Sequence, residues 1–122
     1  MNINEVTERI IGCAIEVHRA LGPGLLEGAY EEALCVEFEL RGLHHARQVP
    51  LELAYKGRKI GDYRIDLLVE DLVVVEVKSV DRHDPLFEAQ VLIYLRLSSK
   101  QVGLLINFNT HLVKNGIKRM IP

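Results

Sequence analysis

The stretch Tyr63-Arg64-Ile65-Asp66 … Glu76-Val77-Lys78-Ser79 decides how this chain folds and where it carries chemistry. Two apolar runs, residues 65–69 and 72–77, are predicted strands, because aliphatic and β-branched residues dominate them. Such runs normally exclude ionisable side chains, yet they contain or adjoin Asp66, Glu76 and Lys78. This conflict between expected burial and charge is the main functional signal in the sequence.

Patterns on either side of this stretch predict an α+β (α/β) fold with a mixed β-sheet flanked by helices. Apolar residues at helical spacing precede it, and Asp84-Pro85 is a helix start. The continuous apolar run that follows this helix predicts a strand buried on both faces. The segment His44-His45-Ala46 reads as a connection. The order is α-α-β-β-β-α-β with an additional C-terminal edge strand, over residues 4–20, 25–41, 49–54, 60–69, 72–78, 85–99, 102–108 and 117–121.

Strict alternation along residues 60–69 predicts that Ile65 and Leu67 share one face and that Asp66 lies on the other. Alternation also sets a condition on any site that Asp66 and Glu76 share. Opposed residues of an antiparallel hairpin share a face, so Asp66 must lie opposite an even-numbered residue. A two-residue loop at Glu70-Asp71 pairs Asp66 with Val75 and sends the two carboxylates to opposite faces. A shared site therefore predicts a three-residue connection centred on Asp71, or a bulge that restores the face.

The chemistry of this pair suits a hard cation. Converging carboxylate oxygens bind Mg²⁺ or Mn²⁺, which can neutralise a phosphodiester and lower the pKa of a bound water, while Lys78 orients or activates the nucleophile. The alternative is a cross-strand salt bridge on a solvated face, the usual interpretation of an isolated Glu-x-Lys. The preceding run 73–75 and the presence of Asp66 favour the site.

Length and charge limit the remaining choices. A chain of 122 residues has the size of one compact domain, so a single domain over 1–122 is predicted. With 15 basic and 17 acidic residues the net charge is −2, and any nucleic-acid binding needs a local patch. Neither a signal peptide nor an apolar run near the roughly 20 residues of a membrane span is visible. We therefore expect a cytoplasmic protein with no membrane partner.

The spacing of Asp66 and Glu76-Val77-Lys78 resembles the PD-(D/E)XK nuclease superfamily, and Gly24-Leu25-Leu26-Glu27-Gly28-Ala29-Tyr30 resembles the motif that names its GxxExxY family. The resemblance covers nearly the full chain and implies a restriction-endonuclease-like core with a metal-bound site that cleaves phosphodiesters. Ile65 stands where the superfamily's name has a proline, a substitution that this family shares. Further matching segments are Val17-His18, Leu21-Gly22-Pro23-Gly24, Tyr55-Lys56-Gly57, Arg64-Ile65-Asp66, Gln90…Tyr94-Leu95 and Gly103-Leu104-Leu105-Ile106-Asn107-Phe108.

The resemblance also implies roles for individual residues. Asp66 and Glu76 bind the metal with the main-chain carbonyl oxygen of Val77, Glu27 completes the metal site from the preceding helix, and Lys78 is the catalytic lysine. Glu27 is equally well explained as a complement to the helix dipole.

Four further residues are supporting candidates, each with a structural alternative. Gln90 and Tyr94 match a Q-x-x-x-Y motif that lines the site, but they also suit an ordinary helix pair. Tyr30 suits the core as well as the site. Arg64 suits either a phosphate or an acidic partner.

The predicted function is a metal-dependent nuclease with Mg²⁺ or Mn²⁺ and with DNA as the expected substrate. Its alternatives are a non-cleaving nucleic-acid-binding or protein-interaction module that retains the fold, and a structural subunit that assembles through a sheet edge. The domain is too small to surround a duplex alone, so a homodimer would supply the missing surface. The basic cluster Lys56, Arg58 and Lys59 is either a solvated hairpin or a contact to a nucleic-acid backbone.

Overall fold

The computed structural model describes residues 1–122 and confirms the α+β class, the predicted element order and the final edge strand. This is the order of a restriction-endonuclease-like core. The helices are α1 (Ile3–Leu21), α2 (Glu27–Leu40) and α3 (Pro85–Ser98), with a 3-10 helix at Val113–Gly116; the strands are β1 (His45–Tyr55), β2 (Arg58–Val69), β3 (Val73–Lys78), β4 (Val102–Asn107) and β5 (Ile117–Met120).

Capping side chains fix where α1 and α3 begin. Asn2 accepts a hydrogen bond from the Glu5 backbone N–H at 2.9 Å, and Asp84 accepts one from the Leu86 N–H at 2.9 Å. Both caps satisfy donors that the first helical turn leaves without a partner. None of the three α-helices combines the length and the apolar composition that crossing a membrane requires.

The sheet order is β1-β2-β3-β4-β5, and all neighbouring strands are antiparallel except the parallel pair β3 and β4, which α3 connects. Strand β4 is buried on both faces, as predicted. At Gly103 a Cβ atom would lie 2.8 Å from Cγ1 of Val91, so the glycine allows α3 to pack directly on this strand.

Apolar side chains form a separate cluster on each face of the sheet. The larger cluster, with 20 buried residues that include Tyr30 and Leu67, lies under α1 and α2. The smaller one, with 6 buried residues that include Ile65 and Tyr94, lies under α3. Because β3 contributes to both clusters, any ionisable side chain on this strand is held close to the core.

Two predictions about β1 and β2 are wrong. Strand β1 begins at His45, which pairs with Val69, so the segment that reads as a connection is partly strand. Backbone hydrogen bonds to β2 keep this exposed edge segment in the strand, although its mostly polar side chains give no strand pattern in the sequence. Ile65 and Leu67, predicted to share a face, belong to clusters on opposite faces of the sheet, because the side-chain alternation of β2 is interrupted near Asp66.

Candidate active site at the fork between β2 and β3

Strands β2 and β3 separate soon after the turn that joins them. Their pairing is limited to Leu67↔Val75, Leu68↔Val74 and Val69↔Val73. The connection is the three-residue segment 70–72, centred on Asp71, with φ of 54° at Glu70 and 55° at Asp71. This register is the one that a shared site requires, and the prediction is confirmed.

Asp66 and Glu76 occupy the positions where the regular pairing ends. The Asp66 backbone N–H donates to Oε1 of Glu76 at 3.0 Å, and the Val77 backbone N–H donates to Oδ2 of Asp66 at 2.9 Å. Each carboxylate therefore replaces a ladder bond between the separating strands. The structure holds the two acids in the fork by backbone contacts and brings them together.

The electrostatics of the pair are set by burial. Glu76 is only 3% exposed. Burial, and then the neighbouring Asp66 carboxylate, raise the pKa of Glu76 from its ordinary 4.5 to about 9. Glu76 thus holds a proton at neutral pH in the absence of a cation, and a bound cation would favour its ionised form.

Helix α3 covers this pair with Tyr94 and Gln90. Burial, followed by the charges of Glu76 and Asp66, raises the pKa of the Tyr94 phenol to about 12, and the adjacent Gln90 side chain partly offsets this rise. The rings of Tyr63 and Tyr94 lie 6.3 Å apart. Tyr94 thus lies near enough to the two carboxylates for their charges to act on its hydroxyl, and Gln90 contacts Tyr94; their role in a site stays a prediction.

Lys78 lies two residues after Glu76 on β3, near enough for its positive charge to lower the pKa of Glu76 against the larger effects that raise it. Its Nζ lies 4.7 Å from the centre of the Phe87 ring, and it forms no ion pair with Asp66 or Glu76. It lines a cavity of about 430 Å³ at the carboxyl ends of β3 and β4, together with Asn107. The ammonium group is therefore available to a molecule that enters this cavity.

The structure does not bring Glu27 to the carboxylate pair. Glu27 is exposed in the first turn of α2 and forms no hydrogen bond or ion pair. The loop before it nevertheless contacts the end of β3, because Oγ of Ser79 donates to the Leu25 carbonyl at 2.5 Å. No group of three or more His, Cys, Asp or Glu side chains is arranged to hold a metal ion.

The other supporting candidates occupy different positions. Tyr30 is fully buried, stacks on Phe108 at 4.5 Å, and its hydroxyl donates to the Gly22 carbonyl at 2.5 Å. It accepts from the Leu25 N–H at 3.1 Å, so it fixes the turn before α2. Arg64 is exposed on β2, two residues before Asp66.

A second group of polar residues, which the sequence does not reveal as part of the site, lies on the α2 side of Asp66. Nε2 of Gln48 lies 2.8 Å from Oε1 of Glu31 and 3.4 Å from Oδ1 of Asp66. Glu31 is only 5% exposed and also accepts from Nε of Arg47 at 2.8 Å, while Arg47 pairs with Glu32 as well. The network gives Asp66 an amide neighbour on the edge strand.

The conformation of Gln48 explains how this contact arises. Its φ is +54°, an uncommon value for a residue with a side chain. On β1 the side chain before it, Arg47, contacts α2, whereas Val49 after it packs on the α3 side. The face of β1 changes here as that of β2 does at Asp66. In the sequence, the signal for Glu31 is its position on the same helical face as the apolar residues Leu34 and Phe38, where an acid is unexpected.

The residues Lys56, Arg58 and Lys59 lie at the far end of the β1–β2 hairpin. All three are exposed, and Lys59 pairs with Asp62 at 2.8 Å. Tyr55 pairs with Arg58 across a two-residue turn. The basic cluster is thus separated from Asp66 along most of β2.

The residues at the fork fit a divalent cation in their chemistry. Asp66 and Glu76 offer hard oxygen donors, and a cation would offset both the burial and the Asp66 charge that keep Glu76 protonated. The Val77 carbonyl oxygen lies on the same residue whose backbone N–H already donates to Asp66.

Comparison with known protein families gives a match over nearly the whole chain. The family model described as PD-(D/E)XK nuclease superfamily matches residues 4–120. No curated protein and no solved structure shows a significant match. The matched range includes every candidate residue described above.

Proposed function

Because the chain belongs to the PD-(D/E)XK nuclease superfamily, we propose that it is a metal-dependent nuclease that hydrolyses phosphodiester bonds, with DNA as its substrate. The observation that carries this proposal is the Asp66–Glu76 pair, held in the fork of a buried sheet with Lys78 at the same strand end. Two acids placed in a buried sheet for structure alone would add a desolvation cost with no charged partner to offset it.

The cation fits between Asp66 and Glu76, with the Val77 carbonyl and Glu27 as the further proposed ligands. When bound, Mg²⁺ or Mn²⁺ would offset charge on the phosphodiester and lower the pKa of a coordinated water. Glu76 must release its proton for this purpose. The exposed Glu27 carboxylate is free to change rotamer, and this role requires it to approach the fork from the first turn of α2.

Lys78 acts from the cavity side. Its ammonium is held over Phe87 without an acidic partner, so it can contact a phosphate oxygen or the attacking water. Gln90 and Tyr94 close the opposite side and exclude solvent from the two carboxylates. Asp66 keeps its orientation through the Val77 N–H and the Gln48 amide.

We further assign the chain to the GxxExxY family, on the basis of Gly24, Glu27 and Tyr30. Tyr30 supports this assignment, because its hydroxyl ties the Gly22–Leu25 turn in front of Glu27. In this assignment the tyrosine positions the glutamate's helix and does not touch substrate.

Cleavage assays test the proposal directly. Purified protein is incubated with linear, circular and single-stranded DNA and with RNA, each with Mg²⁺, Mn²⁺ or EDTA. We expect DNA cleavage that requires a cation and falls at least 100-fold in Asp66→Ala and Lys78→Ala, in line with the loss of a charged catalytic group. Glu8→Ala and Lys114→Ala, which alter exposed residues on α1 and the 3-10 helix, serve as matched controls. Cleavage that survives in the first two variants contradicts the proposal.

The second candidate function is a nucleic-acid-binding or interaction module that does not cleave. The specific observation that favours it is the absence of a third acidic side chain at the fork. Cation-dependent thermal stabilisation that is lost in Asp66→Ala, without cleavage of any substrate, would select this alternative.

A further inference from the structure

The β1–β2 hairpin extends well past the rest of the sheet. Strand β2 pairs with β3 only from Leu67 to Val69, whereas it pairs with β1 along its whole length, back to Tyr55↔Arg58. The part beyond Leu51 and Tyr63 has no third strand beside it. At about 3.3 Å per residue, the stretch from residue 64 back to the turn is roughly 23 Å long. We call residues 52–64 the ribbon.

The ribbon differs in charge from the rest of the molecule. It carries four basic residues against two acidic ones, in a chain whose net charge is −2. Lys59 is neutralised locally by Asp62 at 2.8 Å. Lys56, Arg58 and Arg64 form no ion pair and are exposed. The positive charge that the chain as a whole lacks is thus concentrated on one projection.

The ribbon also exposes apolar and aromatic surface. Tyr55 and Ile60 are each 60% exposed, and the Lys56 ammonium lies 5.4 Å from the Tyr55 ring. Tyr63, at the base of the ribbon, has its ring 6.3 Å from that of Tyr94 at the site. Exposed aromatic and aliphatic side chains therefore occur from the base of the ribbon to its turn.

We propose that the ribbon is the nucleic-acid-binding arm of this protein, which contacts backbone phosphates on one side of the cleaved bond. A two-stranded ribbon has the width that the major groove of duplex DNA admits, and exposed Lys and Arg are the usual phosphate contacts. The path from Arg64 to Lys56 keeps the bound strand in line with Asp66. This inference rests on the proposed function for the position of the cleaved bond, but not for binding itself.

A matched pair of triple variants tests the arm. The ribbon variant is Lys56→Asn, Arg58→Gln and Lys59→Gln, with asparagine at position 56 because the φ of +48° there suits it. The control, Arg9→Gln, Arg19→Gln and Lys114→Gln, removes the same charge from α1 and the 3-10 helix. Circular dichroism and thermal unfolding establish that both variants fold.

Binding is measured in EDTA, by fluorescence anisotropy with labelled duplex and single-stranded DNA between 50 and 300 mM salt. We expect the ribbon variant to bind at least tenfold more weakly and to lose roughly 0.7–0.9 from the salt slope for each phosphate contact removed, while the control changes little. Equal affinity and equal salt slope in the two variants overturn the inference. A wild-type protein that binds no nucleic acid overturns it too.

Two further measurements separate the possible failures. Unchanged cleavage by the ribbon variant refutes the binding arm and leaves the nuclease proposal intact. If the wild-type protein binds DNA through the ribbon but never cleaves it, the arm is supported and the nuclease proposal is refuted. Light scattering after size-exclusion chromatography identifies a protein partner. A wild-type dimer that becomes monomeric only in the ribbon variant would show that this surface binds a second copy, and would contradict the inference.

Discussion

The Glu76 carboxylate accepts a hydrogen bond from the backbone N–H of Asp66 at 3.0 Å, inside a sheet that leaves Glu76 only 3% exposed. A surface hairpin would pair two backbone groups at this point. Here the Glu76 side chain replaces one backbone acceptor. The proton on Glu76 therefore affects both the stability of the fold and the charge of the site.

The first prediction concerns pH and stability. The pKa of Glu76 is raised in the folded protein to about 9 from an ordinary 4.5, so folded protein keeps a proton that unfolded protein loses between these values. Its contribution to the free energy of unfolding is full below pH 4.5 and declines as pH rises toward 9. Urea unfolding at pH 5.5 and 8.5 should therefore show a larger loss in wild type than in Glu76→Gln. Glu8→Gln, an exposed control on α1, should behave like wild type; identical pH profiles for all three proteins contradict the assignment.

The second prediction concerns the cation. Because binding requires the Glu76 carboxylate, the affinity for Mn²⁺ should rise with pH, by up to about tenfold per unit below the pKa of this group. The increase in melting temperature produced by Mn²⁺ should thus be larger at pH 8.5 than at pH 6.5, and chelation should abolish it. Asp66→Asn should remove the response, whereas Asp62→Asn should keep it. A response that survives in Asp66→Asn places the cation elsewhere.

The third prediction separates the backbone role of Gln48 from its amide. At a φ of +54° glycine is unstrained, so Gln48→Gly should be about 1 kcal/mol more stable than Gln48→Ala. Both variants lose the amide that lies between Glu31 and Asp66, and both should lower kcat to a similar extent. Chemical denaturation and steady-state cleavage give the two quantities. Equal stability of the two variants would show that the backbone is not strained at this residue.

The fourth prediction concerns Tyr30. Tyr30→Phe removes a hydroxyl that bonds the Gly22 carbonyl and the Leu25 N–H, and should lower the free energy of unfolding by about 1–3 kcal/mol. Mn²⁺ affinity should fall by a much smaller factor than in Asp66→Asn, because the hydroxyl does not contact the carboxylates. Tyr55→Phe, on the exposed ribbon, is the matched control and should leave stability unchanged. A Tyr30→Phe variant of normal stability without Mn²⁺ binding would instead make this hydroxyl part of the site.

The sequence predicted those features of the site that depend on neighbours along the chain. The register of Asp66 and Glu76 follows from strand alternation and the length of one turn, and the contact between Gln90 and Tyr94 follows from helical spacing. Gln48 and Glu31 were not predicted, because their contact joins α2 to an edge strand with a positive φ. The same irregularity defeated the prediction that Ile65 and Leu67 share a face. Lys78 was predicted as a site residue, but its position over Phe87 depends on how α3 packs.

The three-residue turn at 70–72 makes the site more sensitive to insertions and deletions than to substitutions. Gain or loss of one residue there would shift the pairing of β2 and β3 by one position and move Asp66 and Glu76 to opposite faces. The core could still form around the valines of β3, since both faces of that strand are buried. Among descendants of this sequence, a change in the length of this turn would therefore mark the lineages that keep the fold but have lost its chemistry, even where Asp66, Glu76 and Lys78 are all retained.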